Sequence, residues 1–186
     1  MIKACFSSEM ETVLSSMKGK TLKSIQGTFW KDMKSVFGNF RFELGQYAVD
    51  IECDLHPVYF TCFDGSKSLD DYAYFSCYKR TLKEQFKPFL VEEPVSFLIN
   101  EKISEVLIVR DEIKTEYGEH ILHDQSLIIK TSDKAYSFST SVWFSEELDI
   151  TVSDKIEGFQ TVKAVKDFWG EDGKYKVDVN RQFIFL

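Results

Sequence analysis

The residues of this chain best suited to chemistry are three histidines, four cysteines and thirty carboxylates. His120 and His123, in GEHILHD, are the clustered pair. Their spacing serves two metal ligands on a helix, but the segment alternates like a strand, which turns the two rings to opposite faces. Zinc asks for three or four protein ligands, and no third histidine lies nearby. A polar pair flanking a turn is the expectation. His56 with Cys53 or Cys62 offers a base and a thiol for nucleophilic catalysis. Both cysteines fall in alternating runs, however, and His56-Pro57 reads as the turn between them, so structural thiols are expected. Lys18-Gly19-Lys20-Thr21 ends like a phosphate-binding loop, yet Leu14 stands where the motif needs its first glycine. That motif also needs a strand before it and a helix after it. No GxSxG is present. The residues therefore nominate no catalytic group, metal site or cofactor.

The acids suggest a different chemistry. Asp70 and Asp71 follow Leu69, with Tyr72 and Tyr74 close behind. Glu146, Glu147 and Asp149 flank Leu148, with Trp143 and Phe144 just before them. Acids beside rings at a sheet rim suit docking onto a basic protein, because charge steers the encounter and rings supply buried area. Asp70, Asp71, Trp143, Glu146, Glu147 and Asp149 are accordingly the candidate partner-binding residues. The plainer reading makes the acids a solvated face and the rings core.

Overall charge agrees with a basic partner. The 186 residues carry a formal net charge of −7, with a pI near 5.1. That disfavours general nucleic-acid binding, which rests on neutralising phosphates. No stretch approaches the roughly 20 apolar residues of a membrane span, and the N-terminus lacks the apolar core of a secretory signal. Cys5, Cys53, Cys62 and Cys77 form no CxxC pair, so free thiols in a cytoplasmic protein are expected. The residues carry no signal for an oligomeric state.

The elements that must position these groups are mostly strands. Aromatic residues make up 15% of the chain, 17 of them phenylalanine, and such side chains favour β structure. One short helix is predicted at the N-terminus. Ser8 and Glu11 form a capping box, Met10, Val13, Leu14 and Met17 make an apolar stripe, and Gly19 ends it. Alternation then predicts strands over 22–30, 40–53, 58–63 and 72–78. Asp64-Gly65 marks a hairpin turn. Residues 81–98, with Pro88 and Pro94, read as a connector whose phenylalanines lie on the protein body. Strands resume over 103–117, 121–131, 135–144 and 148–152. A last hairpin is predicted at Asp172-Gly173, and the terminal QFIFL is too apolar to stay undocked.

Residues 19–79 laid over 100–155 suggest an internal repeat. Leu22 and Ile25 fall on Ile103 and Val106, and Phe37-Gly38 on Tyr117-Gly118. Val49 and Ile51 fall on Leu127 and Ile129, Val58 and Phe60 on Tyr136 and Phe138, and Leu69-Asp70 on Leu148-Asp149. One such meander cannot bury its apolar face alone, whereas two copies can bury theirs together. The expected fold is a single domain over 1–186, mainly β with one N-terminal helix. It is a two-layer antiparallel sandwich or barrel of two pseudo-repeated β-meanders. The expected function is a non-enzymatic protein-binding module of the immunity or inhibitor type, set against a basic partner such as a toxic nuclease. The alternative is a small-ligand carrier or enzyme with an aromatic-lined pocket between the sheets.

Overall fold

Alternation of apolar and polar residues builds more than half of the chain into strands, as a computed structural model describing residues 1–30, 33–89, 93–140 and 142–186 shows. In chain order the elements open with β1 (Ile2–Ala4), α1 (Ser8–Ser15), β2 (Thr21–Trp30), β3 (Ser35–Glu43) and β4 (Tyr47–Thr61). Next come β5 (Lys67–Thr81), β6 (Val95–Lys102), β7 (Glu105–Thr115), β8 (His120–Lys130) and β9 (Ala135–Thr140). The chain closes with β10 (Glu147–Ser153), α2 (Val162–Trp169) and β11 (Val177–Phe185). No helix among the described residues is long and apolar enough to cross a membrane.

The strands make one folded sheet. Its path runs β11-β7-β8-β9-β10-β3-β2-β6, with β4 and β5 branching from β3 and β1 lying parallel to β8. All other pairings are antiparallel. The sheet does not close into a barrel, since β6 and β11 each pair with a single neighbour. Strand order is the same in the two halves: β6-β2-β3-β4-β5 and β11-β7-β8-β9-β10. In each, the fifth strand returns to pair with the first. Short pairing of Glu147–Asp149 with Ser35–Phe37 joins the halves into one sheet.

The halves then pack face to face. Leu22, Ile25, Phe40 and Val49 of the first share a core with Val106, Ile108, Leu127 and Phe138 of the second. Phe40 and Phe138 stack across the layers at 4.5 Å. Leu14 and Met17 of α1 join that core, so the helix stripe packs as its spacing predicts. The cap is Ser7 rather than Ser8; its hydroxyl accepts from the Met10 amide. Gly19 takes φ +78°, a left-handed position open to glycine.

Several expectations need correction. Residues 40–53 hold the end of β3, a turn and the start of β4, while His56-Pro57 lies inside β4 and not in a turn. Beyond Cys53, β4 pairs only with β5, and such a one-sided position tolerates the missing N–H of Pro57. The connector is shorter than 81–98, because β6 begins at Val95. Asp172-Gly173 links α2 to β11 and is no hairpin. Helix α2, with Thr161 capping the Ala164 amide, is a second helix where one was expected. Phe37-Gly38 lies in β3 and Tyr117-Gly118 in a turn; Val49 and Ile51 lie in β4, Leu127 and Ile129 in β8. Those pairs of the sequence match do not sit on corresponding strands. The docking of QFIFL is seen directly, as β11 ends with the Leu186 amide bonded to the Val106 carbonyl.

Candidate functional site

The long β4–β5 hairpin positions the main candidate site. Its outer part, from Cys53 to Phe75, extends past β3 and lies on the second half of the protein. The Thr61 amide donates to the Glu119 carboxylate, and the Ala73 amide to the Trp143 carbonyl, at 2.9 Å. Asp64-Gly65 forms the hairpin tip as predicted, with Gly65 at φ +80° and the Ser66 amide bonded to the Asp64 carboxylate. Phe60 and Tyr72 of this hairpin pack with Ile113, Ile121, Val165 and Trp169 in a second core.

Helix α2 supplies the facing wall. Its Val165 and Trp169 are buried, while Phe168 remains 46% exposed. Gly170 ends the helix where a Cβ would lie 2.7 Å from two carbonyl oxygens, so the closing turn admits only glycine without movement. The Tyr117 hydroxyl donates to the Trp169 carbonyl at 2.8 Å and locks the β7–β8 turn to the helix end.

Between these parts lies an open hollow of about 450 Å³. Six rings line it: Phe60, Phe63, Tyr117, Phe144, Phe168 and Trp169. Asp70 and Glu171 add carboxylates. The rings support one another. Phe60 lies 5.4 Å from Phe144 and 5.9 Å from Trp169, and Phe63 stacks on Tyr175 at 4.7 Å. Lys174 pairs with Glu171 at 2.8 Å and sits over the Tyr175 ring, so a cation already rests on this margin.

The predicted rim residues separate. Asp70 lines the hollow; Asp71, Glu146, Glu147 and Asp149 do not. Glu147 and Asp149 project from β10 at the seam with β3 and are exposed, as Asp71 is on β5. Trp143 is a correction. It is only 2% exposed, packed on Phe168 and Trp169, and presents no ring to a partner. Its neighbour Phe144 reaches the hollow instead.

Beneath the hollow the core is unusually polar. Tyr72, His123, Trp143 and Trp169 cluster there, with His123 ring centroids 5.5 Å from Tyr72 and 6.4 Å from Trp143. The Tyr72 hydroxyl, His123 Nδ1 and both indole nitrogens have no hydrogen-bond partner among the described residues. His123 Nε2 lies 3.0 Å from the Thr140 hydroxyl, which also reaches the Gln125 carbonyl at 3.3 Å. Burial depresses the His123 pKa to about 3, so the ring is neutral near pH 7. His123 is thus a core residue, not part of a turn-flanking pair, and only His120 is half-exposed, 3.0 Å from Glu112.

The Cys5, Cys53 and Cys77 thiols are poor nucleophiles. Burial, and then Asp124, push Cys5 up to about 12; burial pushes Cys77 up to about 12 and also raises Cys53. Nucleophilic cysteines need the opposite shift. Cys53 faces the core, while His56 is exposed and lies edge-on to Tyr74.

Comparison with protein-family models, with curated proteins and with solved structures gives no match.

Proposed function

We propose that the protein is a non-enzymatic binding module that receives a basic protein partner in the aromatic hollow. The observation that carries this reading is the meeting of six rings and two carboxylates in one open concavity. Large rings in a desolvated pocket supply most of the binding energy at protein interfaces. Rings and acids together attract ammonium and guanidinium groups. The net charge of −7 would steer a basic partner from a distance. An immunity- or inhibitor-type role in the cytoplasm is the proposed setting, in keeping with four free cysteines. The shared strand order of the halves supports descent from one duplicated unit, which we also propose.

Among the described residues the facing layers share an apolar core, which favours the surface hollow over a carrier pocket between the sheets. Affinity capture with immobilised variants tests the proposal. A basic protein retained by the wild type should bind at least tenfold more weakly to a Phe168→Ala/Asp70→Lys variant. It should bind normally to Glu147→Lys/Asp149→Lys. Equal retention by the hollow variant removes the hollow as the site; loss only with the β10 variant moves it to the seam.

A further inference from the structure

A second concave site lies on the outer face of the first layer. Cross-strand pairing sets Asn39 beside Glu52 and Arg41 beside Asp50, and it sets Arg80 of β5 opposite Ala48, one row further on. Side chains two residues apart share a face. Residues 84–87 of the connector pass above them and enclose a cleft of about 410 Å³.

Part of this cluster has a structural task. Arg41 makes two bonds to Asp50, at 2.6 and 2.9 Å, donates to the Glu84 carbonyl, and lies under the Phe86 ring. That pins the connector to the sheet. The other half contains a second pin, in which Arg181 holds Asp111, the Gln160 carbonyl and the Phe159 ring. A pin therefore needs one arginine, one carboxylate, one carbonyl and one ring.

The cleft holds more than that. Arg80 reaches Asp50 and Glu84 only at 3.5 and 3.7 Å. Asn39 Nδ2 donates to the Lys87 carbonyl, but Oδ1 is buried without a partner among the described residues. Glu52 has its pKa raised by burial and then by Asp54, which outweigh the opposing pull of Arg80. The cleft's three cations (Arg41, Arg80, Lys87) equal its three carboxylates (Asp50, Glu52, Glu84). That balance suits a ligand carrying both charges.

We propose that this cleft binds a small zwitterion of the α-amino-acid type. Its carboxylate lies on the Arg80 guanidinium, and its ammonium on Glu52 and Asn39 Oδ1. Arg80 leans toward Asp50, one row of about 7 Å from Glu52. An amino acid with a hydrogen bond of roughly 2.8 Å at each end spans a similar distance. The site is independent of the hollow and of any partner bound there.

Each of the twenty standard amino acids, titrated singly into the full chain, tests this by backbone amide shifts in NMR. At least one should give saturable shifts at Asn39, Glu52 and Arg80. Acetate and methylammonium, each supplying one charge, should bind at least tenfold more weakly. Arg80→Ala and Glu52→Gln should each weaken the amino acid at least tenfold; both positions are partly exposed and lie outside the pin. No saturable shift with any amino acid overturns the proposal. So does acetate binding as tightly as the amino acid, or either variant binding like the wild type.

Discussion

Arg41 and Arg181 stand on different layers and make the same set of contacts. Each forms a two-bond ion pair with an aspartate on the neighbouring strand, donates to a carbonyl of the segment crossing its sheet, and lies 5.3 Å from a phenylalanine ring of that segment. The crossing segments are those that lead to the return strands β6 and β11. A polar pin here fixes direction as well as contact, because the guanidinium fork matches a carboxylate in one orientation. Removing one partner leaves a buried charge uncompensated, which costs about 3–5 kcal/mol. Asp111→Ala should lose stability in that range by chemical denaturation. Asp111 and Arg181 are 1% and 9% exposed, so solvent offers little relief. A loss below about 1 kcal/mol would show that the pin is dispensable.

The stacked pair Phe40 and Phe138 bridges the layers, and neither ring is exposed. Phe138→Ala should cost about 3–5 kcal/mol, through lost burial and the cavity left behind. Phe168→Ala, at a half-exposed position, should cost much less. Equal losses in urea denaturation would mean that the layers do not form one shared core.

Stability should fall in mild acid because of His123. Its folded pKa is depressed to about 3, below the ordinary value of 6.5, by burial. As pH drops below 6.5 the unfolded chain takes up a proton that the folded one refuses. Stability is therefore full above 6.5 and is lost progressively towards pH 3. The slope is about 1.4 kcal/mol per pH unit, or about 2 kcal/mol by pH 5. The Asp124 carboxyl, pushed up by burial, works in the opposite direction because the folded protein takes its proton first. Comparing His123→Gln with the wild type between pH 7 and pH 5 isolates the histidine. An unchanged acid slope in the variant assigns the effect to other groups.

Much of the fold is legible in the residues, and little of the site is. The apolar stripe of α1, the Asp64-Gly65 turn and the terminal QFIFL are local patterns with one natural outcome, and each appears where its pattern puts it. Helix α2 had its own signals in Thr161, the Val162, Val165 and Trp169 spacing, and Gly170. At eight residues the element is shorter than the window of roughly 11 residues or more in which helical periodicity stands out. His56-Pro57 misleads because proline usually breaks a sheet, yet β4 has a free side there. The hollow draws residues 60–63, 117, 144 and 168–169 together from four distant segments, which no spacing rule connects. Trp143 and Phe144 show the limit clearly. They are adjacent and similar in chemistry, but one is core and the other lines the hollow.

Site-directed photo-crosslinking in cells tests whether a partner docks in the hollow. A benzophenone side chain is placed in turn at Phe63, at Phe168 and at Leu98. The first two are 41% and 46% exposed in the hollow, and Leu98 is 79% exposed on edge strand β6. Crosslinks to one basic protein are expected from positions 63 and 168, with none from 98. Crosslinks from position 98 alone, or equally from all three, would contradict docking there.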